Sequence, residues 1–264
     1  MQRLLIINKT QFGYHTDYTK YCEYLKQDYC ITFFCFDTGL EKLVMENVNV
    51  KYIPWKGPKV IRGVLFILMA LVNISRNNGI VFVHYFSNCH FLKKIYPQRK
   101  IILDIRTLSV NPNINIRTKQ NNNLLASCDS FNFITLISKG IQNKLKIPTN
   151  KSIVLPLGSD RISTKNKDFE NLRLLYVGTF SGRNIDQTII GLSYFIKKHP
   201  EAIVSYDIIG HGKETKTLIE LIAKLNLSEK IKVHGRIPHF KLAPFFDHSN
   251  IGVAYVPITE YYEL

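Results

Sequence analysis

The sequence predicts an α/β fold in which two doubly wound parallel sheets follow one another, the second of them incomplete. Three observations lead to this prediction. Short apolar runs alternate along the chain with segments whose apolar residues have helical spacing, and the runs are apolar on both faces. A polar stretch separates seven of these runs from the four that follow it. Strands of this kind that alternate with helices build parallel sheets covered on both sides, as in Rossmann-like domains.

The predicted strands are short runs rich in β-branched and aromatic residues. Seven precede the polar stretch, at residues 4–8, 31–36, 50–54, 80–85, 100–105, 131–137 and 152–157. Four follow it, at residues 172–180, 202–210, 230–234 and 251–257. The spacing of apolar residues predicts helices over 186–198 and 213–225. The Asn-rich run 111–123 is predicted to be a mobile loop.

The polar stretch 159–171 marks the best domain boundary, because two modest sheets suit eleven strands better than one very wide sheet. We expect an N-terminal domain over residues 1–160, a linker over 161–171 and a C-terminal domain over 172–264. The sequence ends directly after its last predicted strand. The C-terminal domain is therefore expected to be partial, in a truncated chain.

Composition excludes several classes of protein. The 264 residues are 45% hydrophobic and 21% charged, which is typical of globular chains rather than disordered or fibrous ones. The five cysteines form no CxxC pair, so neither a disulfide framework nor a metal site is expected. The longest apolar stretch, residues 63–74, is shorter than the roughly 18 residues of a membrane span, so a buried helix is expected there, in a cytoplasmic protein.

The charge is uneven along the chain. The net charge is +15, and residues 1–160 carry +12 of it, from 21 basic and 9 acidic residues. No Asp or Glu lies between Glu46 and Asp104. Such a positive field indicates an anionic partner, or it serves only solubility. Charge alone does not decide whether that partner is nucleic acid, anionic lipid or a phosphorylated substrate.

One loop has the composition of a phosphate site. In YVGTFSGRNIDQ, residues 176–187, two glycines allow a tight turn, and a helix predicted to start near Asn184 directs its N–H groups at the loop. Arg183 adds a guanidinium that matches phosphate oxygens. These residues form either a diphosphate cradle or an ordinary strand-to-helix turn. Neither the GxGxxG fingerprint nor a P-loop is present.

Two further strand ends repeat this pattern, in IIGHGKE and in KVHGRIPHFKLAPFF. Taken in order, VGTFSGRNID, IIGHG and HGRIPHFKLAPFFDHSNIGVAYVP resemble the donor half of retaining glycosyltransferases of family 4, also called group 1 glycosyltransferases. The N-terminal half is similar to members that build bacterial surface polysaccharides, in VFVHYF, IILDIRT and SIVLPLGSD. The resemblance covers most of the chain and implies a GT-B-like fold of two Rossmann-like domains.

The resemblance implies a nucleotide-diphosphate sugar as donor, bound without a metal or other cofactor. Its diphosphate would rest on the first loop, and its nucleoside near the two later ones. The implied donor-binding residues are Gly178, Thr179, Gly182, Arg183, Gly210, Gly212, His234 and Gly235. The family usually has Lys after this Arg, where this chain has Asn184. In the family, glutamates after the last strand hold the donor sugar and ribose. Glu260 and Glu263 lie near this region here, and Glu260 is the candidate.

On the acceptor side, the family's glycine-rich loop corresponds to Phe12 and Gly13, and later strand ends supply His84, Asp104 and Arg106. Arg106 and Glu260 are the candidate catalytic residues. Arg106 either stabilises charge on the leaving group or pairs with Asp104 or another acid. Asp104 and His84 are likewise either site residues or satisfied structural groups.

The resemblance implies a glycan or a polyprenyl-diphosphate-linked acceptor at the inner membrane face. Lys56, Lys59 and Arg62, beside Trp55, would suit an anionic membrane surface. Residues 64–74 would then either enter the interface or form part of the core. Two alternatives stay open: a non-catalytic, truncated partner subunit and a nucleotide-sugar epimerase. Nucleic acid is not expected as a partner, because no RNP, zinc-finger or helix-turn-helix signature is present.

Overall fold

The computed structural model describes residues 1–109, 111, 113–159, 161–163 and 165–255. The chain divides into two compact units, the first running from Met1 to Gly158 and the second beginning at Ser159. Each unit contains one sheet, and every strand pair in both sheets is parallel.

The first unit contains a seven-stranded sheet. Its strands are β1 (Gln2–Ile7), β2 (Tyr29–Asp37), β3 (Val48–Pro54), β4 (Ile80–His84), β5 (Ile101–Ile105), β6 (Phe133–Leu136) and β7 (Ser152–Val154). They lie in the order β3-β2-β1-β4-β5-β6-β7. The strand order reverses between β1 and β4, and in such sheets ligands bind outside the carboxyl ends of the strands at that reversal.

Helices cover both faces of this sheet. They are α1 (Thr16–Leu25), α2 (Lys59–Arg76), α3 (His90–Ile95), α4 (Ile114–Cys128) and α5 (Lys139–Lys144). Alternate residues of β1 enter two separate cores, Leu5 and Ile7 with Phe66 of α2 on one face, Leu4 and Ile6 on the other. Burial on both faces is what the apolar runs predict, and the predicted doubly wound architecture is confirmed.

The second unit contains a four-stranded sheet. Its strands are β8 (Leu172–Thr179), β9 (Val204–His211), β10 (Ile231–Gly235) and β11 (Ile251–Gly252), in the order β10-β9-β8-β11. Its helices are α6 (Ile185–Lys198), α7 (Thr215–Lys224) and α8 (Ala243–His248). Tyr206 and Ile208 of β9 pack with Ile189 of α6 and Ile222 of α7 in a single core. All eleven predicted strands and both predicted helices are therefore present, although residues 256–257 of the last predicted strand lie outside the described part of the chain.

The prediction of a mobile loop over residues 111–123 is wrong, because α4 occupies most of that run. The Asn113 side chain caps the helix by accepting hydrogen bonds from the backbone N–H groups of Asn115 and Ile116. Farther along, Leu124 and Cys128 are buried against the sheet. A cap and two tertiary anchors outweigh the weak helix propensity of asparagine.

The prediction of a buried helix over residues 63–74 is correct for the helix but wrong for its burial. Only one face of α2 is buried, through Phe66, Ala70, Asn73 and Ile74. The opposite face is exposed although it is also apolar. None of the helices within the described ranges is long and apolar enough to span a bilayer. The five cysteines are free thiols, and all except Cys30 are buried.

Candidate functional site

The loop that follows β1 is held in place by a buried glutamine. The Gln11 amide nitrogen donates to the carbonyl of Leu40 at 2.8 Å, and its amide oxygen accepts from the backbone N–H of Thr38 at 2.8 Å. Gly13 has a φ of 88°, and a Cβ there would lie 2.2 Å from the Leu43 Cδ1. Phe12 is buried in the core, edge-on to Phe33 at 5.0 Å. The shape of this loop is therefore fixed by packing and by Gln11.

Three polar side chains share one face of the sheet at neighbouring register positions. His84 of β4 pairs with Asp104 of β5, and Asp104 pairs with Thr135 of β6. Asp104 is fully buried, and each of its carboxylate oxygens accepts a hydrogen bond. The Thr135 hydroxyl donates to Oδ1 at 2.5 Å, and the Tyr18 hydroxyl of α1 donates to Oδ2 at 2.6 Å. Burial nevertheless raises the pKa of Asp104, against the opposing effect of these two hydrogen bonds.

Arg106 directly follows β5 and is also buried. Its Nε donates to the Asp17 carboxylate at 3.0 Å, and its Nη1 donates to the carbonyl of Leu155 at 2.7 Å. The Nη1 lies 3.9 Å from Oδ1 of Asp104. The guanidinium is thus fixed between the first turn of α1 and the segment after β7. The structure therefore shows Arg106 in an ion pair with an acid, chiefly Asp17, and its role towards a leaving group stays a prediction.

Two imidazoles lie beside this network. The rings of His15 and His84 have centroids 5.1 Å apart, and Tyr18 is edge-on to both, at 4.8 Å from His15 and 5.2 Å from His84. Burial is the main cause that lowers the pKa of His84 to about 3, with smaller contributions from His15 and Arg106. Burial also lowers the pKa of His15. Both side chains are therefore neutral at pH 7, and a neutral imidazole can both donate and accept a hydrogen bond with a hydroxyl.

The structure brings together His84, Asp104 and Arg106, the three acceptor-side candidates at strand ends, and their roles stay predictions. It adds His15, Asp17 and Tyr18, which sequence reasoning missed. All three lie in YHTDY, the polar segment that opens α1. The available signal was their position: the first helix of a doubly wound sheet begins next to the carboxyl ends of the strands. We call these six residues the polar cluster of the first unit.

The predicted phosphate loop of the second unit connects β8 to α6. The backbone N–H of Phe180 donates to the carbonyl of His211 at 3.0 Å, which ties the loop to the end of β9. Gly182 has a φ of 70°, and no atom lies within 4 Å of where its Cβ would be. Asn184, just before α6, is also left-handed, with a φ of 46°, and its side chain does not cap the helix. The loop is therefore open on the side of Gly182, next to the N-terminus of α6.

Two glycines, Gly210 and Gly212, allow the two neighbouring loops to pack closely. A Cβ on Gly210, which has a φ of 148°, would lie 1.7 Å from the carbonyl oxygen of Gly178. A Cβ on Gly212 would lie 2.7 Å from the Phe180 Cβ, and one on Gly178 would lie 2.8 Å from the Tyr176 hydroxyl oxygen. The Ser181 hydroxyl also donates to Glu214 at 3.0 Å. Gly210 and Gly212 are therefore required by the contact between the loops whether or not a ligand binds there, whereas a Cβ on Gly178 would meet only the end of the Tyr176 side chain in its own strand.

The third predicted element lies at the end of β10. His234 occupies a β-bulge, since the register with β9 shifts between Val233 and Gly235. Its Nε2 lies 2.6 Å from the Asp207 carboxylate, and its ring is edge-on to Phe245 at 5.0 Å. Gly235 has a φ of 72° with open space beside it. The imidazole is therefore oriented by a carboxylate from the neighbouring strand.

The remaining predicted site residues differ in how they are placed. Arg183 is half-buried between Gly182 and the start of α6, and Thr179 is the exposed last residue of β8. Glu260 lies outside the described residues. Within the described part of the chain, His, Cys, Asp and Glu side chains form no group of three or more that could hold a metal ion.

Neither a protein-family model nor a curated protein matches this sequence. Solved structures match it over nearly its whole length. The HepE protein of Anabaena, in complex with UDP and glucose, matches with a TM-score of 0.66 and 10% identity over 96% of this chain and 74% of its own. A glycosyltransferase from Rickettsia africae matches with a TM-score of 0.63 and 14% identity, over 96% and 72%.

WaaG, a glycosyltransferase involved in lipopolysaccharide biosynthesis, matches with a TM-score of 0.64 and 11% identity, over 95% of this chain and 74% of its own. Identities this low describe a shared architecture and carry no residue roles across. The predicted GT-B fold is confirmed, since the solved structures named above are glycosyltransferases of that fold.

Proposed function

We propose that this protein is a retaining glycosyltransferase that moves a sugar from a nucleotide-diphosphate sugar to a glycan or lipid-linked acceptor in surface polysaccharide synthesis. The observation that carries the proposal is the loop between β8 and α6, residues 178–183, in a chain with the GT-B fold. It presents an open glycine, an arginine and the N-terminus of a 14-residue helix at the carboxyl end of a parallel strand. Each of these features favours a phosphorylated ligand.

For the donor, we propose that the diphosphate lies against Gly182 and the first turn of α6, with Arg183 offsetting its charge. The nucleoside would lie beside Gly210 and Gly212 at the end of β9. The HepE structure contains UDP, and this supports a nucleoside diphosphate as the leaving group here. Glu260 is proposed to hold sugar and ribose hydroxyls, as the family resemblance implies.

For the acceptor, we propose the polar cluster of the first unit. Its two neutral imidazoles, His15 and His84, can accept hydrogen bonds from sugar hydroxyls without attracting a counter-ion. Asp17 and Asp104 orient the neighbouring groups, and Arg106 is proposed to stabilise negative charge that develops on the leaving diphosphate. A lipopolysaccharide role is stated for WaaG, which supports a cell-surface glycan as the class of acceptor.

The proposal is tested by incubating the protein with a panel of UDP-, GDP- and ADP-sugars and glycan or polyprenyl-diphosphate acceptors. Acceptor-dependent release of nucleoside diphosphate, with an anomeric configuration in the product that matches the donor, is the expected result. The anomeric proton coupling measured by NMR gives that configuration. An epimer formed from the donor alone would instead identify an epimerase, and no turnover or binding with any donor would support the non-catalytic alternative.

A further inference from the structure

The outward face of α2 is apolar along nearly its whole length. Of the ten exposed residues in this helix, seven are aliphatic or methionine, whereas a helix on the surface of a globular protein usually turns a polar face outward. The seven are Val60, Ile61, Val64, Leu65, Leu68, Met69 and Val72, with exposures between 37% and 76%. We call this set the α2 outer stripe.

The stripe is continuous. Its members recur at spacings of three and four residues, and the other side of the helix, through Phe66, Ala70 and Ile74, is packed into the core. At about 1.5 Å per residue, the 18 residues of α2 extend over roughly 27 Å. An exposed apolar surface of this length marks an interaction site more often than a solvated surface.

Basic residues surround the beginning of the stripe. Lys56 and Lys59 are exposed there, and the Arg62 guanidinium lies 4.0 Å over the ring of Trp55, which is itself 47% exposed. The first turn of α2 contains no acidic residue, although acids are the side chains that a helix N-terminus favours. Together with the acid-free run between Glu46 and Asp104, this makes the end of the helix strongly cationic.

The neighbouring helix α3 exposes side chains of the same kinds. α3 packs against α2, and it exposes Phe91, Ile95 and Lys94. Aromatic and aliphatic side chains combined with lysine and arginine suit the boundary between lipid headgroups and acyl chains.

We propose that the α2 outer stripe docks on an anionic lipid bilayer, with its apolar side chains in the interface and Lys56 and Lys59 among the headgroups. Charge decides between this partner and a second copy of the chain. In a parallel symmetric pair through this face the two cationic ends of α2 would meet, and in an antiparallel pair each would face Arg76 of the other copy. Because α2 contains no Asp or Glu, both arrangements place like charges together, which opposes association. An anionic bilayer matches both the cations and the apolar stripe. The proposal is independent of the enzymatic one, because docking requires neither donor nor acceptor.

The test is vesicle flotation of the full chain with phosphatidylcholine alone and with about one third phosphatidylglycerol. Two variants address the face: Val64→Asp with Leu68→Asp, and Lys56→Glu with Lys59→Glu. Their matched controls place the same changes on exposed positions of the second unit, Tyr194→Asp with Ile219→Asp, and Lys197→Glu with Lys198→Glu. Circular dichroism and thermal unfolding show whether each variant is folded.

The wild-type protein is expected to float with the anionic vesicles and to be released by high salt. Both face variants should lose roughly tenfold or more in partitioning while remaining folded, and both controls should stay within about twofold of wild type. Equal losses in the controls, or no binding of wild type to the anionic vesicles, would overturn the proposal. A wild-type dimer in sedimentation analysis that Leu68→Asp dissociates, without vesicle binding, would also overturn it and assign the face to self-association.

Discussion

The hydroxyl of Tyr18 donates a 2.6 Å hydrogen bond to Oδ2 of Asp104, and both side chains are fully buried. This contact joins the first helix to the carboxyl end of β5 across 86 residues of sequence. It fixes the position of α1, and with it the positions of His15 and Asp17 in the polar cluster. The cluster is therefore held together by this buried hydrogen bond and by the ion pair between Arg106 and Asp17.

Tyr18→Phe removes that donor and leaves one oxygen of a buried carboxylate without its partner. We expect the first unit to lose about 1–3 kcal/mol in its free energy of unfolding, measured by urea denaturation. Tyr194→Phe, at an exposed position of α6, is the matched control and should stay within about 0.5 kcal/mol of wild type. Equal effects of the two substitutions would show that the hydrogen bond contributes nothing.

The stability of the first unit should decrease in acid because of two partly buried histidines, His15 and His84. The native pKa of His84 is about 3, whereas an imidazole in the unfolded chain titrates near 6.5. Between these values the unfolded chain binds a proton that the native chain does not. Stability therefore falls as the pH drops below about 6.5, by up to roughly 1.4 kcal/mol per pH unit.

His84→Asn should flatten that pH profile between about pH 6 and pH 4 while leaving only a constant offset above pH 7. Burial also lowers the pKa of His15, so replacing His15 as well as His84 should flatten the profile further. Urea denaturation at a series of pH values gives the slopes. Parallel wild-type and variant profiles throughout this range would contradict the assignment of neutral imidazoles in the native protein.

Two glycines of the second unit should respond to alanine in opposite directions. Gly210→Ala places a Cβ 1.7 Å from a backbone oxygen at a positive φ, so the sheet ends must separate, and a loss of several kcal/mol or failure to fold is expected. Gly191→Ala lies within α6 with no neighbour inside 4 Å, so a gain of about 0.5–1 kcal/mol is expected. Thermal unfolding checks both signs, and a tolerated Gly210→Ala would refute the close packing of the two loops.

The fold was predictable because its main signal is local. Strands such as β1 are apolar on both faces, and only a covered parallel sheet buries both faces. The two wrong predictions, the loop over residues 111–123 and the full burial of residues 63–74, concern segments whose structure is decided by tertiary contacts. The asparagines in α4 are compatible with a helix only because Asn113 caps the helix and Leu124 is buried in the core. Helix α2 is apolar on two sides, but only one of these sides packs into the core.

The position of the candidate site at the strand ends was predictable from the sequence, but the hydrogen-bond and ion-pair partners of its residues were not. Strand ends pointed to His84, Asp104 and Arg106, since carboxyl ends of neighbouring parallel strands meet at one edge. The partners of those residues, Tyr18 and Asp17, come from another element far away in sequence, and no spacing rule connects them. For Gly210, sequence reasoning considered only the approach of a ligand, whereas its φ and the carbonyl of Gly178 require glycine for packing as well.

Arg183 is the side chain that distinguishes a diphosphate site from an ordinary strand-to-helix turn at residues 178–183. Isothermal titration of UDP, GDP and ADP into wild type, Arg183→Gln and the exposed control Lys198→Gln measures this directly. Loss of one charged hydrogen-bonding group, worth about 1.5–3 kcal/mol, should weaken the best-bound nucleotide by at least roughly tenfold in the Arg183 variant and not in the control. Equal affinity of all three folded proteins, or binding of none of these nucleotides to wild type, would contradict a diphosphate bound at residues 178–183.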